Sequence, residues 1–281
     1  MNKQKIALIS GARGFIGAAV AQELQNRGYT TLDPYHDNLP QKADFYMHFK
    51  WFVKELAKDC SAQLQSVSQS LEALELAAQL GCNKFIFPSS IMEQELWALD
   101  NQKNVKFRAS DVYAAAKFCA RIMLAIKAEE LGIIFIPVVV TNIYGAGEKS
   151  ERFINSTLRK VKNKDSMQKP LEFTAGTQRY DFVYISDAAR ALADIAEYGL
   201  KGRRYTLASG ESKPLKSFVL EMLEELKPEL SRAPSPIFGT HKLETVDLPA
   251  GVFDNTALRD DTGWKPQVSF RKGIRLTFDN I

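Results

Sequence analysis

"KIALISGARGFIGAAVAQELQNRG" (residues 5–28) decides how the chain is to be folded. Its first six residues are a short apolar run, the pattern of a buried strand. A glycine cluster interrupts the run. "FIGAAVAQELQN" then shows helical periodicity up to a stop at Gly28. A strand, a glycine turn and a helix in that order make a phosphate loop. Gly11 permits the tight turn, Gly14 lets the backbone approach a pyrophosphate, and Gly17 lets the helix lie close to the sheet. Phe15 and Ile16 open the helix, where free N–H groups and the dipole attract phosphate. A plain glycine-rich turn could use the same residues, but the flanking strand and helix favour dinucleotide binding.

The alternation continues beyond this unit. Strands are expected at 29–33, 43–49, 84–90 and 133–142, and helices at 60–81 and 110–132. Such alternation predicts an α/β fold with a doubly wound parallel sheet. After Gly147 the pattern loosens. A helix near 151–162 precedes a Lys- and Gln-rich linker. Strands near 171–174 and 179–185, a helix at 186–199, a strand at 203–208, a helix at 215–226, a Pro-rich loop (228–239) and a tail follow. The expected division is a dinucleotide-binding Rossmann domain over 1–147, with 179–199 returning to it. A smaller α/β substrate-binding lobe takes 148–178 and 200–281.

The 281 residues are 45% hydrophobic and 25% charged, which is ordinary globular composition. No apolar run approaches the ~20 residues of a membrane span. The chain enters a strand-like run at once, which reads as no signal peptide and a soluble, cytoplasmic protein. Cys60, Cys82 and Cys119 lack metal-ligand spacing and read as reduced packing residues. The net charge of +4 is scattered. Its densest patch, Arg159 to Lys169, reads as the solvated end of a helix, and no nucleic-acid partner is expected.

"SDVYAAAKFCARIM" (110–123) sets Tyr113 and Lys117 four apart, on one face of a helix. Bringing a phenol from about 10 to near 7 takes about 4 kcal/mol. One cation about 4 Å away at an effective dielectric of 20 offers about that much. The pair can therefore make a general base near neutral pH. A lone Tyr-x-x-x-Lys is usually the polar edge of an amphipathic helix. The phosphate loop upstream shifts the balance to catalysis. Ser90, at the carboxyl end of "KFIFPSS" (84–90), lies where open α/β sheets place ligands, with Ser89 as competitor. Asp33, ending the second strand, is placed to accept from an adenosine ribose hydroxyl, which favours NAD, whereas Arg13 inside the loop would suit NADP. The three histidines read as packing (His48) and loop residues (His36, His241), and no metal site is expected.

The glycine spacing GxxGxxG with Tyr-x-x-x-Lys resembles the extended short-chain dehydrogenase/reductase family, also called the NAD-dependent epimerase/dehydratase family. "DFYMHF", "KFIFPSS", "TNIYGAG", "RYDFVYISDAARA" and "TGWKPQVSFRKGI" carry the resemblance through most of the chain. It implies that Lys117 also holds the nicotinamide ribose and that Ser90 hydrogen-bonds the reacting oxygen. It further implies that Asn142 meets the diphosphate of a nucleotide sugar, with Asn155 a second candidate. The family's phosphate-binding arginine stands directly before the Asp of its "RDF", where this chain has Tyr180. Arg179 is one residue earlier, and a shift of one flips a strand side chain to the other face. Dehydratases of the family carry Asp-Glu where this chain has Ile91 and Met92, which disfavours dehydration; Glu93 and Glu95 stand nearby. Between Asp33 and Asp44 the chain is too short for the family's extra strand near the adenine. The late segments resemble bacterial 4-ketosugar reductases and 4-epimerases, and Trp264 with Pro266 reads as an anchor for the tail.

The expected activity is therefore NAD- or NADP-dependent hydride transfer at a sugar carbon, C4, of a nucleotide-diphosphate sugar, by a 4-ketoreductase or a 4-epimerase. The resemblance also implies a homodimer. The competing reading is a non-catalytic NAD(P)-binding regulatory subunit of the same fold.

Overall fold

The computed structural model describes residues 4–101, 103, 105–163, 169–231, 234–242 and 246–281. Residues 164–168, most of the linker expected after the 151–162 helix, lie outside them, as does part of the loop at 228–239; Arg159, Lys160 and Lys162 of the basic patch end that helix, as expected. Two compact units emerge. The first takes the chain up to Val140 with Ala188–Leu207 and Asn255–Trp264; the second takes Thr141–Asp187, Ala208–Asp254 and Lys265–Ile281. The first boundary thus falls at Val140 rather than 147, because the strand there ends and the chain begins a separate pair. Residues 179–187 fall in the second unit and 200–207 in the first.

In the first unit, β1 (Lys5–Ser10), β2 (Tyr29–Leu32), β3 (Phe45–His48), β4 (Lys84–Ser90), β5 (Ile134–Val140) and β10 (Tyr205–Leu207) form one sheet. Its order is β10-β5-β4-β3-β1-β2 and all its pairs are parallel. Parallel neighbours need crossovers, and helices supply them: α1 (Phe15–Asn26), α2 (Cys60–Gln79) and α4 (Val112–Leu131). A strand buried on both faces reads as continuous apolar sequence, and six of the seven residues of β4 are buried. α2 and α4 share a hydrophobic cluster with the sheet that includes Leu74, Phe85, Phe87, Ala120 and Leu124. Just beyond α1, Arg27 donates to Asp194 and Glu197 of α6 (Ile185–Tyr198), both at 2.7 Å. Gly132, in the left-handed region at φ 66°, closes α4.

The same unit holds α3 (Met92–Asp100) and α8 (Thr256–Thr262), neither expected from periodicity. Asp261 of α8 accepts from the Tyr205 hydroxyl at 2.9 Å, and Trp264 beyond it is buried, as its anchoring role requires.

The second unit pairs β6 (Asn142–Tyr144) with β9 (Phe182–Tyr184), β7 (Glu172–Thr174) with β12 (Ile237–His241), and β8 (Arg179–Tyr180) with β11 (Lys213–Pro214). Around them lie α5 (Phe153–Lys162), α7 (Leu215–Glu225) and α9 (Phe270–Asp279). The core is aromatic: Phe218 packs edge-on against Phe182 and Phe270, with centroids 4.9 and 4.8 Å apart. The single strand expected at 179–185 splits at Asp181. This fully buried carboxylate accepts from Ser209 N (2.6 Å), Ser209 Oγ (2.9 Å) and Gly210 N (3.1 Å).

Candidate active site

The glycine loop is built as its spacing demands. Gly11 has φ 78°, and a Cβ there would meet the backbone of Lys50 at 2.9 Å. A Cβ on Gly17 would lie 2.2 Å from the Gly11 carbonyl oxygen. Gly14 N donates to that oxygen at 2.9 Å and heads α1. No side chain caps this helix and its first turn holds no acid, so the positive end of its dipole faces outward. Phe15 and Ile16 are half-buried in that first turn, and Arg13 is exposed beside it. These residues fit the pyrophosphate of a dinucleotide.

Asp33 follows β2 and is buried. One of its carboxylate oxygens accepts from Tyr35 N at 3.1 Å, and its own N–H donates to Asp37 at 2.7 Å. The turn it makes leads directly toward β3, and residues 34–44 add no strand to the sheet.

Tyr113 and Lys117 both face Trp51, which follows β3. The Tyr113 ring stands edge-on to the indole, 6.3 Å between centroids, and Lys117 Nζ lies 3.8 Å from the indole centre. Lys117 is only 4% exposed; its Nζ donates to Pro88 O at 2.9 Å and lies 4.6 Å from the Phe87 ring. Burial pulls its pKa down to about 7, with the Glu93 carboxylate acting the other way. The lysine is therefore a weaker permanent cation in the free protein than its place in the motif suggests. Tyr113 itself is half-buried.

Ser90, two residues beyond Pro88, is on the same side of the β4 pleat. Its hydroxyl accepts from the N–H of Met92, the first residue of α3, at 3.2 Å. Ser89 points to the other side, and its buried Oγ has no partner among the described residues. The first turn of α3 carries Glu93, 1% exposed, whose Oε2 accepts from Arg121 Nε of α4 at 2.8 Å. Its Oε1 has no described partner. Burial raises the Glu93 pKa against the pull of Arg121 and pushes that of Glu95 up to about 7. His48 lies between the hydroxyls of Ser10 (2.8 Å) and Ser70 (3.0 Å), and burial holds its pKa down near 3. Ser70 already donates to Ser66 O at 2.7 Å, so Nε2 carries the proton and Nδ1 accepts from Ser10. His48 is a structural pin, and no sequence pattern announced Trp51 or the Glu93–Arg121 pair.

The remaining candidates belong to the second unit. Asn142 Nδ2 donates to the carbonyl oxygen of Asp181, just before β9, at 3.1 Å. Asn155 is buried; its Nδ2 donates to Gly145 O at 2.8 Å while Oδ1 has no described partner. Arg179 Nη1 donates to Ser212 O at 2.7 Å. Tyr180 next to it stacks on Phe182 at 5.7 Å, so the two side chains serve opposite faces. Among the described residues no cluster of His, Cys, Asp and Glu could hold a metal ion, and no helix is long and apolar enough to cross a membrane.

Comparison with known proteins shows the family. The CDP-abequose synthase of Salmonella typhimurium is 23% identical over 96% of this chain and 96% of its own. The dTDP-4-dehydro-6-deoxyglucose reductase of Escherichia coli is 22% identical over 98% and 96%. The structure of RMD from Pseudomonas aeruginosa complexed with NADPH superposes with a TM-score of 0.79 at 19% identity, covering 99% of this chain and 98% of that one. The NAD dependent epimerase/dehydratase family matches residues 41–208, well over half of the sequence. The chain belongs to the NAD-dependent epimerase/dehydratase family.

Proposed function

We propose that the protein is an NAD(P)-dependent oxidoreductase or epimerase of a nucleotide-diphosphate sugar, acting at C4. The observation that carries this reading is the common neighbour of Tyr113 and Lys117. Both side chains face one indole beside the carboxyl end of β4, where Ser90 stands. A regulatory subunit would have no need to keep a phenol, an ammonium and a serine hydroxyl on one sheet edge behind an intact phosphate loop.

A bound nicotinamide supplies hydride to a ketone or accepts it from an alcohol. Gly11, Gly14, Phe15, Ile16 and Gly17 would hold the pyrophosphate, with Arg13 at its edge. Asp33 would accept from the adenosine ribose, and Lys117 would donate to the nicotinamide ribose. In the reducing direction the Tyr113 hydroxyl gives its proton to the carbonyl oxygen as the carbon becomes tetrahedral. Ser90 donates to the same oxygen. In the oxidising direction the Tyr113 phenolate takes the alcohol proton instead. Asn142, Asn155 and Arg179 are the candidates for the sugar diphosphate. No strand stands between β2 and β3 in the chain to add contacts near the adenine, and this favours easier cofactor exchange and hence the 4-ketoreductase over an epimerase that retains its cofactor. Asp33 favours NAD.

A cytoplasmic location is consistent with three free thiols. Pairing of two copies would use α4, which exposes Phe118, Ile122 and Ile126 at four-residue spacing.

The test is a panel of 4-keto nucleotide sugars mixed with NADH or NADPH, followed by absorbance, alongside epimerisation assays with UDP- and CDP-sugars. Oxidation of the dinucleotide supports the reductase, and interconversion without net oxidation supports the epimerase. Cofactor binding with neither reaction favours the regulatory reading.

A further inference from the structure

An ammonium has three N–H donors, and all the surroundings of Lys117 Nζ are occupied. Pro88 O accepts one at 2.9 Å, and the rings of Trp51 and Phe87 cover the rest at 3.8 and 4.6 Å. A lysine enclosed in this way cannot donate to a ribose hydroxyl until one wall moves. Pro88 and Phe87 are interior residues of β4, paired along their length to β5, and Phe87 is fully buried. Trp51 is different. It is half-buried on the segment between β3 and α2.

That segment is fixed from below. The buried Gln63 amide donates to Phe52 O (2.8 Å) and Leu56 O (2.9 Å), and Phe52 N donates to Ser66 Oγ at 3.2 Å. The indole donates from Nε1 to Gln63 Oε1 at 2.7 Å, covers the ammonium, and packs edge-on against Phe87 and Tyr113 with centroids 6.0 and 6.3 Å apart. Rotation of the Trp51 side chain would exchange those contacts and leave the backbone anchors intact.

We propose that Trp51 is a positioning residue that caps Lys117 in the free protein and must leave it when a nicotinamide dinucleotide binds. The proposal rests on the reading of Lys117 as a cofactor contact. Two titratable groups besides the cap act on the ammonium: the Glu93 carboxylate of α3 and the neutral His48 of β3. The cap is part of the burial that pulls the Lys117 pKa down to about 7.

The experiment compares the wild type with Trp51→Ala and Trp51→Phe. Calorimetric titration with NADH and with NADPH is expected to show the Ala variant binding about 2- to 30-fold more tightly, the worth of a cation–π contact, with Phe in between. In the absence of any dinucleotide, NMR titration of labelled lysine side chains is expected to show Lys117 moving upward in the Ala variant. Tryptophan emission of the wild type is expected to change on adding dinucleotide, and the change is expected to vanish in Trp51→Phe, which retains Trp97 and Trp264. The emission experiment and the Phe variant decide the matter should the Ala variant fail to fold. Equal or weaker binding by the Ala variant, or an unchanged Lys117 titration, overturns the proposal while leaving the cofactor reading intact. Failure of the wild type and both variants to bind either dinucleotide overturns both.

Discussion

Lys117 Nζ and the carbonyl oxygen of Pro88 are joined by a 2.9 Å hydrogen bond. Through it the helix that carries Tyr113 is tied to the strand that ends at Ser90, so the relative height of the phenol and the serine is set by the lysine. The same bond lies in an apolar enclosure, which makes the lysine costly to keep charged.

Lys117 therefore weakens the fold. Its pKa falls from 10.5 to about 7 on folding, so between those values the unfolded chain binds a proton that the native chain does not. The penalty is full below pH 7 and is relieved as pH rises through the window. Replacing Lys117 with Met is expected to raise stability below pH 7 by up to about 5 kcal/mol, less the lost Pro88 contact. The gain is expected to shrink above pH 10. Urea midpoints measured across that range check it; a loss of stability at pH 6 contradicts it.

His48 acts over a lower window. Its pKa drops from 6.5 to about 3 in the fold, so the unfolded chain again binds the extra proton. Stability is complete above pH 6.5 and falls by as much as about 5 kcal/mol toward pH 3. The imidazole resonances of His48 are expected to stay those of the neutral ring down to pH 4. Titration of that ring near 6 in folded protein would contradict the assignment.

Gly17 has no room for a methyl group, since its Cβ would lie 2.2 Å from Gly11 O. Gly17→Ala is expected to cost about 1–3 kcal/mol of stability and to weaken dinucleotide binding at least tenfold, because α1 must back away from the loop. Gly251→Ala is the control: nothing lies within 4 Å of that Cβ, and its thermal midpoint should match the wild type.

The exposed stripe of Phe118, Ile122 and Ile126 gives a test of assembly. Ile126→Glu is expected to halve the mass measured by light scattering while leaving the far-ultraviolet circular dichroism unchanged. A wild-type protein already of monomer mass contradicts pairing through α4.

The sheet and its crossover helices were legible in the sequence because their apolar runs are long and the glycine loop fixes the first of them. The phosphate loop and the Tyr113–Lys117 face were legible for the same reason, since each depends on spacing within one element. α3 was not, because "MEQELWALD" buries only Glu93 and so shows no apolar stripe. α8 and α9 were missed in a tail read for its Trp264 anchor, although Phe270 and Ile274 of α9 are buried four residues apart. Trp51 had no readable signal, since it lies in an irregular segment and its partners, Gln63 and Lys117, are distant in sequence. Asn142 shows what a motif match leaves out: the sequence suggests a phosphate contact and says nothing of the hydrogen bond from its amide to Asp181 O.

The most direct test of the central claim is the oxidation of NADH or NADPH by a 4-keto nucleotide sugar, measured for the wild type and for Tyr113→Phe at equal cofactor saturation. Turnover by the wild type and a loss of about 10²- to 10⁴-fold in kcat for the variant, with dinucleotide binding retained, is the predicted result. A Tyr113→Phe protein that turns over at the wild-type rate would contradict the assignment of the phenol as the proton carrier.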